Sequence, residues 1–223
     1  MKNKKRIVAR ALAAALAFST VFGISAPTDV YAATKTVTVS TQKDLNAALK
    51  DNKIKKIIIK SPSKKSFTVK KGSYKKKTLI VNGAKLNVTN AGKFQSITIK
   101  DALKYTEAAK NNAVKVTDDK LSLVIESNAV VRSVELAKTG AKDSLVVDGT
   151  LKALNITKKS DVTLKGDTQK AVPVTVTAKD SAISSQIKVK IKTSVDLKAE
   201  FGVGAEGSKL TCAADGVKLD VTN

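Results

Sequence analysis

The chain of 223 residues has no His and no Trp, one Cys (Cys212) and one Met, the initiator. Each shortage excludes something. Without imidazole there is no histidine general base, no Ser-His-Asp or Cys-His nucleophilic site and no His-ligated zinc. One Cys excludes an intramolecular disulfide and any multi-Cys metal cluster. Acid is scarce as well: 19 Asp+Glu stand against 41 Lys+Arg, a net charge of +22.

Residues 1–32 read as a secretory signal. Lys2, Lys4, Lys5, Arg6 and Arg10 form a positive n-region, Ala11 to Ile24 a short apolar run, and Val30-Tyr31-Ala32 a small-residue cleavage site. A membrane anchor needs about 20 apolar residues. Here Ser19 and Thr20 interrupt a shorter run. No later stretch is long or apolar enough to span, so no transmembrane anchor is expected. The mature chain, 33–223, is expected to be secreted and to associate with a cell surface through charge or partners. Its net charge falls to +18, and Arg132 is its one Arg.

What the chain does have is a repeat. Apolar-x-apolar triplets recur: Phe67-Thr68-Val69, Leu86-Asn87-Val88, Val114-Lys115-Val116, Val134-Glu135-Leu136, Leu154-Asn155-Ile156, Val174-Thr175-Val176, Val195-Asp196-Leu197 and Leu219-Asp220-Val221. Their middle residues lie 19, 28, 20, 20, 20, 21 and 24 apart. Alternation of this kind marks a strand with one buried and one wet face. A second set precedes them, including Ile57-Ile58-Ile59, Leu79-Ile80-Val81, Ile97-Thr98-Ile99, Leu123-Val124-Ile125, Leu145-Val146-Val147 and Cys212-Ala213-Ala214. Asn82-Gly83, Asp148-Gly149 and Asp215-Gly216 supply turns between the two. Thr78 to Asn90 matches Thr211 to Asn223 at seven of thirteen positions.

Units this small cannot bury a core alone, but stacked coils can. The expected fold is all-β: a right-handed parallel β-helix, or solenoid, of about eight coils with two strands each. The alternative is an antiparallel β-sandwich, which would want short Gly loops where the chain has linkers such as 101–113. Ahead of the coils, Thr36-Val37-Thr38-Val39 alternates as a strand. Thr41 and Asp44 form a capping-box variant, and Leu45, Ala48 and Leu49 make an apolar helical stripe. Residues 33–55 are therefore the entering strand and capping helix, and 56–223 the β-helix.

Val37 to Ile59 (VTVSTQKDLNAALKDNKIKKIII) resembles the opening of right-handed parallel β-helix proteins of the pectate-lyase-like superfamily. The resemblance implies the architecture and says little about activity, since many members look like non-catalytic surface proteins. Its catalytic members cleave acidic polysaccharides, with carboxylates holding calcium and a basic residue removing a proton. Calcium takes six to eight oxygens and proton abstraction needs a base beside it. Glu126, Asp148 and Arg132 are the one constellation to test for calcium or catalysis. Solvated turn residues are the simpler reading, and no family motif falls on them. No metal or cofactor is assigned. Asp118-Asp119 reads as a turn. The sequons at Asn87 and Asn155 lie in expected strands behind a bacterial-type signal.

The surface carries two further readings. Lys55, Lys56, Lys64, Lys65, Lys70, Lys71, Lys75, Lys76 and Lys77 make the first coils the most basic. Such a field attracts anionic polysaccharide or a cell-wall polymer. Nucleic acid is set aside, because it would call for Arg forks and stacking aromatics. The expected function is a non-catalytic secreted module binding such polymers. The alternatives are a calcium-dependent polysaccharide lyase and a purely structural, self-associating surface protein. Ile58, Ile80, Val124 and Val146 form an outward apolar stripe, either covered by a loop at 100–112 or used for docking. The chain stops just past a strand, which suggests self-association through an uncapped coil. Cys212, aligned with Leu79, is expected to be a buried thiol.

Overall fold

A computed structural model describes residues 35–158, 160–166, 172–176, 186–191, 197–201, 209–212 and 219–222, with side chains described up to residue 175. The expected signal, residues 1–32, and the chain end at Asn223 lie outside the described residues. Among the described residues no helix is long and apolar enough to cross a membrane.

The chain winds as a right-handed parallel β-solenoid. Its elements begin with β1 (Lys35–Val39), α1 (Gln42–Lys50), β2 (Ile54–Lys60) and β3 (Lys65–Glu107). They continue with β4 (Lys110–Val116), β5 (Ser122–Ile125), β6 (Val130–Leu136), β7 (Ala141–Val147), β8 (Thr150–Leu151), β9 (Leu154–Ile156) and β10 (Ser160–Gly166). Last come β11 (Val172–Val176), β12 (Gln186–Ile191), β13 (Leu197–Phe201), β14 (Lys209–Cys212) and β15 (Leu219–Thr222). Every pairing between these strands is parallel, which removes the antiparallel sandwich.

Register sorts the strands into three faces. Face one runs β1, β2, two stretches of β3, β4, β6, β9, β11, β13 and β15. Within β3 the hydroxyls of Thr78 and Ser96 meet at 3.1 Å, which lays 78–82 beside 96–100. Face two runs from the end of β3 through β5, β7, β10, β12 and β14. Face three is short: Asn112 meets Val131, which meets Leu151.

Between the faces the inward side chains meet in an aliphatic column. Ile57, Leu79, Ile97, Val114, Val134, Leu154 and Val174 are all buried on face one, and Leu123, Leu145 and Leu164 on face two. Each such side chain stabilises the fold by roughly 1.5–3 kcal/mol. The turns are tight enough to demand glycine. A Cβ on Gly149 would lie 2.2 Å from the carbonyl oxygen of Glu126 on the coil before.

The capping helix forms as expected. Thr41 accepts the Asp44 N–H at 3.1 Å, and Leu45, Ala48 and Leu49 are buried against the first coils. The Gln42 carboxamide also donates to Thr68 O at 2.9 Å and accepts from Thr68 N at 2.8 Å. One side chain thus stands in for a strand above the exposed edge of β3.

Several expectations need correction. Coils carry three faces, not two strands. Residues 100–112 are not a covering loop: Tyr105 and Glu107 pair with Leu123 and Ile125, so they form a full face-two rung. That rung shifts the frame. Val114 stacks on Ile97, not on Leu86, and the two similar segments starting at Thr78 and Thr211 open on different faces. The apolar stripe divides accordingly. Ile58 meets Ile80 on face one, while Val124 meets Val146 on face two. Cys212 pairs with Val189 on face two, outside the column of Leu79, and its side chain is outside those described.

Tyr105→Ala tests the new rung. Its ring is fully buried, and its hydroxyl donates to Glu107 Oε2 at 3.0 Å. Truncation is expected to cost about 3–5 kcal/mol, read as a lower urea midpoint. A loop residue would cost almost nothing.

Candidate functional site

Residues 52–100 contain 14 Lys and no Asp or Glu. On the folded chain this segment covers the first coils after the cap. Lys64, Lys65, Lys70, Lys71, Lys75 and Lys76 are exposed, and Lys55 and Lys56 half-buried. Two of these amines also brace the backbone: Lys55 donates to Asn52 O at 3.0 Å and Lys65 to Ser40 O at 2.9 Å.

Lys77 is the exception among the nine lysines assigned to the surface. It is buried, and its ammonium donates to the carbonyls of Ala48 (3.3 Å), Asp51 (2.5 Å) and Ile54 (2.8 Å). These carbonyls end α1 and lead into β2, so the charge closes the helix C-terminus. Burial lowers the Lys77 pKa from its ordinary value, with Asp51 opposing.

Beside Lys77 the surface opens into a cleft of about 510 Å³. Its walls are Asn52, Ile54 and Lys55 on one side and residues 73–77 on the other. No carboxylate lines it. Tyr74 forms part of the wall and is firmly seated. Its ring lies 5.1 Å from the Phe94 ring, and its hydroxyl donates to Lys70 O at 3.3 Å. Gly72 and Gly92 make room for it: a Cβ on either would come within 2.6 Å of the tyrosine side chain. A second hollow, about 430 Å³, holds Lys60 and Lys85 but also Asp101, so its charge is mixed.

The other anticipated constellation comes together only in part. Ile125 is opposite Val147, so Glu126 and Asp148 leave successive coils of face two. Arg132 lies beyond the next turn on β6. Among the described residues no group of three His, Cys, Asp or Glu is placed to hold a metal ion. Asp118, read as a turn residue, organises one by accepting Ala102 N at 2.6 Å and Lys120 N at 3.1 Å.

Sequence reasoning missed two buried acids. Glu107 lies inside the solenoid, where its carboxyl accepts from Asn90, Asn112, Tyr105 and the Ala109 N–H at 2.9–3.1 Å. Burial raises its pKa and these donors oppose the rise. Asp143 is also buried. One oxygen accepts Leu121 N at 2.9 Å, and the other has no hydrogen-bond partner among the described residues. Burial, with the nearby charges of Asp118 and Asp119, pushes Asp143 up to about 6.

Comparison with protein-family models, with curated proteins and with solved structures finds no match to this chain.

The Asp143 shift has a definite sign. A folded-state value near 6 exceeds the ordinary value of 3.8. The contribution is therefore full below about pH 4 and is lost as pH rises through 6. Asp143→Asn is expected to stabilise the chain at pH 7 by on the order of 2 kcal/mol and to make little difference at pH 4. Urea titrations at the two pH values measure this, and an equal effect at both would refute the assignment.

Proposed function

We propose that this chain is a secreted, non-catalytic β-helix module, similar to the surface proteins of the pectate-lyase-like superfamily. It binds acidic polysaccharide or a cell-wall polymer through its lysine-rich first coils. The observation that carries this reading is the lysine field of residues 52–100, a segment with 14 Lys and no Asp or Glu of its own. Exposed ammonium groups on a rigid stack of strands hold a fixed spacing. A flexible polyanion can meet them one after another, while each contact alone is weak.

The lysines also fit the polymer chemistry. An ammonium is a compact, strongly hydrated point charge suited to single carboxylate or phosphodiester oxygens, unlike the fork of Arg. Binding of this kind is electrostatic, so salt governs it: the screening length is about 10 Å at 0.1 M and about 3 Å at 1 M.

The test is retention of residues 33–223 on immobilised polygalacturonate and on purified wall polymer. Affinity is expected to fall more than about tenfold between 20 mM and 500 mM salt, as contacts between exposed charges are screened. No retention on either polymer at 20 mM salt overturns the reading.

A further inference from the structure

We infer that a row of cations along face three is the docking track for a phosphodiester-linked polyol chain, laid along the solenoid axis rather than along its strands. This deepens the reading above and rests on it. The row is Lys75, Lys93, Lys110, Arg132 and Lys152, exposed side chains on successive coils.

Register assembles the row. A Cβ on Gly92 would lie 2.5 Å from the Tyr74 ring, and Thr78 meets Ser96 a few residues on, so 74–75 run beside 92–93. The Asn112 side chain accepts Phe94 N at 3.0 Å and donates to Gly92 O at 2.9 Å. It thereby brackets Lys93 and brings 110–112 alongside. Lys110 pairs with Val130. Val131 pairs with Leu151 and Val134 with Leu154, so Arg132 and Lys152 between them are in step. Parallel rungs lie about 4.8 Å apart, which makes the row about 19 Å long.

The row is more than a part of the lysine field. Arg132, Lys110 and Lys152 lie beyond residues 52–100, on coils that carry acids, yet 108–117, 127–134 and 149–160 contain no Asp or Glu. Glu126 and Asp148 come before the chain turns into face three. Other cations of these coils are answered: Lys115 by Glu135 at 2.8 Å and Lys138 by Asp119 at 3.3 Å. Among the described residues the side chains of the row make no salt bridge, and none is spent on a backbone carbonyl as Lys55, Lys65 and Lys77 are.

Its shape selects the partner. A row one cation wide fits a thread. A membrane surface would want apolar side chains to insert, and Leu103, the one exposed large hydrophobic among the described residues, stands at the entry to face two. Nucleic-acid bases would want exposed rings to stack on, and Tyr74 and Phe94 pack on each other. A chain of rigid sugar rings turns successive carboxylates to different sides of its axis, so a straight row meets only some of them. In a polyol phosphate the charge sits in the backbone, with rotatable single bonds between phosphates, so successive charges settle on successive coils. Each phosphodiester offers two equivalent oxygens, which suit a single ammonium or the fork of Arg132.

The test is calorimetric titration of residues 33–223 with a glycerol-phosphate oligomer at low salt. Arg132→Gln/Lys152→Gln is compared with Lys120→Gln/Lys142→Gln, an equal charge change at exposed positions where the chain enters face two. Both pairs lie outside residues 52–100. The row pair is expected to lose at least about fivefold in affinity and the other pair less than about twofold. Matching circular dichroism spectra establish that both variants are folded. Equal losses in the two pairs, or none in either, would overturn the track and leave the field of the first coils standing. So would tighter binding to an oligogalacturonate of equal charge, or to phosphatidylglycerol vesicles of equal phosphate content. Failure of the unaltered chain to be retained on polygalacturonate and on wall polymer at low salt removes both readings at once.

Discussion

Everything in this molecule depends on the parallel ladder from one coil to the next. Each rung bonds its backbone to the rung before, so inward side chains at matched positions lie about 4.8 Å apart. A residue is judged by its neighbours above and below more than by its neighbours in the chain. Ile97, Val114, Val134 and Leu154 stack because register makes them equivalent, though steps of 17, 20 and 20 residues separate them. The ladder also explains the aliphatic core. Branched side chains of similar shape fill the space between successive coils, and a large ring must find a gap.

The rung at Tyr105 and Glu107 shows how the ladder accommodates an exception. A carboxyl group facing inward would ordinarily be costly. Here it replaces a missing set of backbone partners. Asn90 ties its own turn by accepting from Gly92 N, and Asn112 reaches back to the coil before by accepting from Phe94 N, both at 3.0 Å. Their amide N–H groups turn inward to Glu107. The network is closed between two consecutive coils, so the Glu107 carboxyl is satisfied. Asp143 makes the contrast. One of its oxygens is bonded and the other has no hydrogen-bond partner among the described residues, and burial, with Asp118 and Asp119 nearby, raises its pKa.

The same rung decides how far the sequence could be read. Alternating Val, Ile and Leu are legible because period and polarity agree, and they disclose the parallel solenoid, the strand positions and the cap. Tyr105-Thr106-Glu107 breaks the pattern, since Glu at an inward position looks wet when its partners on other coils are unknown. Missing one rung makes every later strand change face. That error joined Ile80 to Val124 in one stripe and placed Cys212 above Leu79. Face three escaped for another reason. Its rungs are one or two residues long, and Asn112 sits where Val131 and Leu151 would suggest an aliphatic. The lysine field was legible, being a matter of composition; the cleft was not, because it joins the end of a helix to a strand 20-odd residues later.

Lys77 brings these strands together. In sequence it is the last of three adjacent lysines and nothing distinguishes it. In the fold, strand alternation turns it inward beneath the end of α1, where carbonyls lacking helical partners need a donor. Burying an ammonium requires that its N–H groups be used, and Ala48, Asp51 and Ile54 offer three oxygens. Lys75 and Lys76 are left exposed at the mouth of the cleft. One run of like residues is thus divided, by the helix-end carbonyls that Lys77 alone meets, into a structural cation and two surface cations. The charge available to a ligand is smaller than the composition suggests, but it is held in place by the same contact that closes the helix.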